Sequence, residues 1–162
     1  MFLRMENSPE RRLTGQKLRM SMADNRTAAL WQGFMPRRAE ISGRVNDLLI
    51  SMQVYDAGHD PSRFDPQAGF DRWAAVEVGE GAPVPEGMLP FIIPAGLYAV
   101  FLHRGTSQEA PRTFGYIFGE WLPASGYAIA QRPHFEVLGA KYRNNGPASE
   151  EEIWIPVDQS IA

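Results

Sequence analysis

The sequence predicts an α+β fold: a tandem βαββ repeat with a pseudo-twofold axis, its antiparallel sheet carrying two helices on one face and an open cleft on the other. Three observations predict it. Strand-like runs and helix-like stripes follow the same order in both halves of the chain. A breaker-rich segment, 79–90, divides those halves. Leu30-Trp31-x-x-Phe34-Met35-Pro36 also lines up with Ile117-Phe118-x-x-Trp121-Leu122-Pro123 at one constant offset.

Residues 1–10 are polar, contain Pro9 and show no period, so they read as a flexible N-terminus. A single domain is expected over 11–160, with repeats at about 11–80 and 91–158. In 12–22, Leu18, Met20 and Met22 alternate with polar residues, as on a strand with one apolar face. Asp24-Asn25 supplies a helix cap. Ala28, Trp31 and Met35, beside Leu30 and Phe34, recur on one helix face, and Pro36 ends or kinks that helix. The apolar run 47–55 has strand length, 61–70 is a turn-rich loop, and 72–78 alternates as a strand.

The second half repeats the order. Pro94-Ala95-Gly96 turns into a strand at 97–103. Thr106 or Ser107 caps a helix with Pro111 in its first turn. Phe114, Ile117, Phe118 and Trp121 form its apolar stripe, and Pro123 ends it. Strands follow at 134–142 and 151–157, joined by a hairpin-type loop at 143–149. One βαββ unit cannot bury both faces of its sheet. Two units joined edge to edge place both helices on one side and leave the opposite, concave face as a cleft between the halves.

Composition narrows the function. The 162 residues carry a net charge of −3, which gives no basic footprint for direct nucleic-acid binding. There is no cysteine, hence no disulfide, thiol nucleophile or thiolate metal site. His59, His103 and His134 have unrelated spacings, so no metal or other cofactor is expected. No apolar run is long enough to span a membrane and no signal peptide is evident, so a cytoplasmic protein is expected, as monomer or homodimer.

Several stretches form a recognisable ordered set: IPAGLYAVFLHRG at 93–105, YIFGEWLPASGY at 116–127, RPHFEVLGAKY at 132–142 and EEIWIPV at 151–157. The first half adds the helix around Leu30-Trp31-x-x-Phe34, MQVYD at 52–56 and WAAVEV at 73–78. Over roughly residues 12–158 the chain resembles the GyrI-like small-molecule-binding family, whose domain also serves as the effector-binding part of AraC- and MerR-type regulators. The resemblance implies a tandem SHS2-type fold around a central cleft. It also implies a glutamate on the strand after the second helix, at the cleft floor, pairing with aromatic or lipophilic cations. The matching residue is Glu136. In the regulators a helix-turn-helix unit precedes this domain; only a short lead-in does here, so a stand-alone module is expected.

Read by spacing alone, Glu136 shares one strand face with His134 and Leu138, while Phe135, Val137 and Gly139 take the other. Spacing alone favours a solvent-facing or arginine-paired residue over a charge held in a cleft; the resemblance reverses that and selects the cleft. Trp73 and Glu77 share a face, as cleft wall and rim carboxylate or as core and exposed edge. Tyr55, Tyr98 and Phe101 are further wall candidates. Trp121 and Phe118 lie on the helix stripe and belong first with the core, and Trp154 faces away from Ile153 and Ile155, where it can form a wall. The expected partner is a small hydrophobic or cationic molecule, sensed or sequestered. The resemblance also offers a hydrolase of reactive cyclopropane-bearing natural products, with Glu136 as base, and a protein inhibitor of DNA gyrase.

Overall fold

The computed structural model describes residues 1–60, 63–143 and 146–159. Parts of the loops expected at 61–70 and 143–149, and residue 160 of the expected domain, lie outside the described residues. The elements are β1 (Phe2–Ser8), β2 (Arg11–Met20), α1 (Thr27–Phe34), β3 (Leu49–Tyr55), β4 (Phe70–Glu77), β5 (Leu89–Ile93), β6 (Gly96–Arg104), α2 (Ala110–Tyr116), α3 (Leu122–Ser125), β7 (Tyr127–Ile129), β8 (His134–Leu138) and β9 (Glu150–Gln159). Each half thus runs strand, helix, strand, strand, as β2-α1-β3-β4 and β6-α2-β8-β9, in an α+β architecture with an antiparallel sheet.

Local chemistry sets the helix ends. The cap of α1 is not Asp24-Asn25 as expected: the N-cap position is Arg26, which makes no side-chain capping bond, and Asn25, one residue earlier, only accepts from the Thr27 backbone N–H through Oδ1 at 3.0 Å. Thr106 and Glu109 form a reciprocal capping box ahead of α2. At Pro36, α1 passes into a tighter 3₁₀ turn, Met35–Glu40. Pro123 does not end the second helix as expected. The helix widens to a π turn over Ile117–Trp121 and restarts as α3 with Pro123 in its first turn, where a missing N–H costs nothing. Gly126, at φ 79°, then ends it. The strand expected over 134–142 stops at Leu138, and the Tyr142 N–H turns back to the Gly139 carbonyl at 3.0 Å.

The N-terminus is also different from its reading as a flexible lead-in. Residues 2–8 form β1, paired antiparallel to β6. The sheet runs β1-β6-β9-β8-β3-β4-β2-β5, with β7 added alongside β9. β1 therefore leads into β2 yet pairs with the first strand of the other half, and β5 leads into β6 yet pairs with β2. In a flat sheet β1 and β2 would lie roughly 29 Å apart, at about 4.8 Å per strand step. Pro9 and Glu10 alone join them, and that link reaches only about 10 Å. Pro94 and Ala95 impose the same limit between β5 and β6. The sheet has to curl until its ends approach each other.

Curling decides what each face does. The inner face gathers Leu13, Ile50, Met52, Trp73, Ala75, Ile93, Tyr98, Val100, Phe135 and Trp154 into one buried cluster. The face read from the sequence as open is filled by these side chains. The outer face carries both helices. α1 packs through Leu30 and Phe34 on Ala74, Val76 and Val78. The second helix packs through Phe114, Ile117, Phe118 and Trp121 on Phe101, Ile153, Ile155 and Val157. Among the described residues no helix is long and apolar enough to cross a membrane.

Two predictions follow from this packing. Gly15 lies in β2 opposite Ala75, and a Cβ there would meet the β4 backbone, 2.7 Å from the Ala75 Cα. Gly15→Ala should lower stability by about 1–3 kcal/mol, read as an earlier urea midpoint; an unchanged midpoint would contradict this strand approach. His134 is buried on β8, and burial, reinforced by His59, pushes its pKa down to about 3. The unfolded chain takes up this proton near pH 6.5 while the folded chain stays neutral, so His134 removes stability as pH falls through that window. Relative to wild type, His134→Gln should gain about 1.4 kcal/mol for each pH unit below about 6.5. Parallel denaturation series at pH 7 and 5 test this, and a constant difference would refute it.

Candidate functional site

α1 covers β2 and β4, and the second helix covers β6, β9 and β1. The central strands β3 and β8 are left as an uncovered strip of the outer face. Opposed residues of an antiparallel ladder share a face, so the strip can be read rung by rung. One rung runs Ala74, Ser51, Glu136, Ile153, Phe101. The next runs Arg72, Gln53, His134, and the one beyond pairs Phe70 with Tyr55. The ends of the first rung lie beneath the helices, and its polar middle lies between them.

A hydrogen-bonded group fills that middle. Arg72 is 8% exposed, and its Nη1 donates to Ser51 Oγ at 3.1 Å. With the Gln53 amide oxygen turned toward it, both guanidinium Nη atoms donate to Gln53, at 3.1 and 3.2 Å. In the other amide orientation, Gln53 Nε2 donates to Glu136 Oε1 at 3.5 Å. Arg72 Nε has no hydrogen-bond partner among the described residues. The Arg72 guanidinium carbon also lies 5.5 Å from the Phe70 ring centroid.

Glu136 is half-buried and faces a second half-buried carboxyl, Glu151. Of three consecutive glutamates opening β9, the outer two are neutralised: Glu150 by Arg104 and Glu152 by Arg4, the latter at 3.2 Å. Glu151 points the other way. Burial, then the Glu136 charge and a hydrogen bond to it, push the Glu151 carboxyl up to about 8, with Arg72 opposing. Burial likewise raises the Tyr55 phenol, with Arg72 opposing and Glu136 adding to the rise. The Tyr142 phenol is raised by burial, then by Glu151 and Glu136. At one end of the strip the Tyr55 ring stacks on His59 at 5.2 Å and meets His134 edge-on at 5.1 Å. His59 also borders an open groove of about 560 Å³ lined by Phe118, Leu122, Tyr127 and Ile129.

Of the residues singled out in the sequence, the structure brings together Glu136 and Tyr55. Trp73, Tyr98 and Trp154 belong to the buried inner cluster, on the opposite face. Tyr98 is wholly buried there, donating its hydroxyl to the Pro133 carbonyl at 2.9 Å. Glu77 is no free rim carboxylate, because Arg11 pairs with it at 3.2 Å. The Arg11 guanidinium carbon lies 4.9 Å from the Trp154 ring centroid and 5.4 Å from that of Phe135. The inner face thus holds a cation among aromatic rings and a carboxylate, but that cation is the chain's own. Phe101 and Trp121 pack edge-to-face at 5.0 Å beneath the second helix, as core. His103 is held between Thr113 Oγ1 at 2.7 Å and the Thr106 carbonyl at 3.0 Å.

Sequence reasoning did not single out Glu151, Arg72, Gln53 or Tyr142, and assigned His134 and His59 no role at the site. For Glu151 a signal was present: it shares the alternation of Ile153 and Ile155 and therefore turns to the helix-bearing face. His134 likewise shares its strand face with Glu136. Among the described residues, no group of three or more histidine or acidic side chains is placed to hold a metal ion.

Residues 1–158 match the family model described as the GyrI-like small molecule binding domain. The transcriptional regulator BrlR of Pseudomonas aeruginosa is 31% identical over 158 residues, 97% of this chain and 56% of the regulator. The chain thus spans about half the length of that curated relative. In fold it resembles the crystallised EcmrR C-terminal domain, with a TM-score of 0.72 at 14% identity over 99% of each chain. It also resembles SAV2435, solved bound to tetraphenylphosphonium, with a TM-score of 0.62 at 15% identity over 98% of this chain and 94% of that one. With its fold and nearly its whole length accounted for in this way, the chain belongs to the GyrI-like small-molecule-binding family.

Proposed function

We propose that this domain binds amphipathic aromatic organic cations in the strip between its helices, with Glu136 as the counter-charge, and so senses or sequesters them. The observation that carries the reading is a half-buried carboxyl pair, Glu136 and Glu151, with no ion-pair partner among the described residues, beside an aromatic group of Tyr55, Phe70, His59 and His134. A unit cation at about 4 Å from a carboxylate gains on the order of 4 kcal/mol at an effective dielectric near 20, before desolvation is subtracted. Aromatic faces add about 0.5–2 kcal/mol each. The groove beyond His59 offers apolar surface for the rest of such a molecule. The tetraphenylphosphonium held by SAV2435 is a cation of this chemistry.

A hydrolytic reading draws on the same pair. A carboxylate beside a carboxyl that keeps its proton near neutral pH combines a base for water with an acid for a leaving group. Mass-spectrometric detection of hydrolysed product from a cyclopropane-bearing alkylating substrate, lost in Glu136→Gln, would favour it over simple binding.

Calorimetric titration with tetraphenylphosphonium tests the binding reading. Glu136→Gln should weaken the cation by about 1–3 kcal/mol, as expected when a charge-assisted contact is lost. Neutral triphenylphosphine oxide should bind more weakly than the cation and be insensitive to the substitution. Equal affinity of wild type and variant for the cation would remove Glu136 from the site.

A further inference from the structure

We infer that Glu136 and Glu151 hold a single proton between them while the strip between the helices is unliganded, and that an organic cation binding there expels it. This rests on the cation-binding reading above and adds a coupling to it. Glu136 lies directly opposite Ile153, and Glu151 stands two residues before Ile153 on the same face of β9. The two carboxyls are therefore diagonal neighbours on adjacent strands, within reach of each other.

The cationic and polar groups around the pair are committed elsewhere. Arg72, from β4, donates to the neutral Ser51 and Gln53 rather than to either carboxyl, and its charge opposes the rise at Glu151 without pairing with it. His103, from β6 and directly opposite Glu151, is held by Thr113 and Thr106. His134, two residues before Glu136 on β8, is buried and neutral. Tyr55 from β3 and Tyr142 from the β8–β9 connection contribute neutral phenols. On β9 itself, Glu150 and Glu152 point to the other face, toward Arg104 with Lys141 and toward Arg4. Two carboxylates at hydrogen-bonding separation, half-buried and without a paired cation, do not both stay ionised. One proton is retained and bridges them. An arriving cation supplies the missing positive charge, and the shared O–H then breaks heterolytically, its proton passing to solvent. No covalent bond forms to the ligand and nothing is oxidised or reduced. One positive charge enters as another leaves.

Calorimetry with tetraphenylphosphonium at pH 7, run in phosphate and in Tris, counts the protons exchanged, because the two buffers differ in ionisation enthalpy. Wild type should release about one proton, and its affinity should rise about tenfold per pH unit from about pH 6 to 8. Glu151→Gln should bind with no proton release and a flat pH profile. Should that variant fail to fold, carboxyl ¹³C NMR of the unliganded wild type gives an independent readout, with one glutamate expected to titrate near pH 8. Binding with no proton released in either buffer, or every glutamate titrating in the ordinary range, would overturn the coupling and leave cation binding intact. Failure of tetraphenylphosphonium to bind at any pH, with the protein folded, would overturn both.

Discussion

The architecture depends on an exchange of strands between its halves. β1 precedes the first strand of one half and pairs with the first strand of the other, and β5 does the reciprocal. Because each connection is only two residues long, the exchange bends an eight-strand path until its ends approach. The bend turns one face inward, where Trp73, Tyr98, Phe135 and Trp154 bury each other. It turns the other face outward, where two helices too short to cover the whole sheet shield its flanks and leave β3 and β8 between them. A polar strip at the centre of a sheet is thus a consequence of curvature and helix placement together.

Electrostatics separates the faces further. On the inner side, Arg11 lies over Phe135 and Trp154 and is neutralised by Glu77. Arg4 lies over Trp154, its guanidinium carbon 5.5 Å from the ring centroid, and bonds Glu152. Those charges are closed pairs. On the outer side Glu136 and Glu151 face each other, and the nearby guanidinium of Arg72 is engaged by neutral acceptors. The same residue types, arranged on opposite faces of one sheet, make paired charges on the inner side and, on the outer side, two carboxyls with no ion-pair partner among the described residues. Burial of the pair adds to this, since a charge taken from water without a partner is destabilising and a ligand of opposite sign relieves it.

The legibility of this protein in its sequence followed the range of the interactions involved. Helix stripes, the capping box at Thr106, and the alternation of Ile153 and Ile155 are local, and their periods named the elements. The π turn before Pro123 was not readable, because a proline in the first turn of a restarted helix looks in sequence like a proline that stops one. The strand at residues 2–8 has no period of its own and is held by its ladder to β6, about a hundred residues away.

The amino-acid order by itself determined the repeat of strand, helix, strand, strand, the family, and the placement of Glu136 on a strand with one polar and one apolar face. Only the tertiary structure decided which face of the sheet closes and which side chains meet on the other. Alternation assigns residues to faces but carries no sign for curvature, so Trp73, Trp154 and Glu136 could all be read as lining one hollow. Curvature is set by short links between strands distant in the sheet, and the meeting of Glu136 with Glu151 by the register between β8 and β9. Both are long-range constraints that no local period encodes.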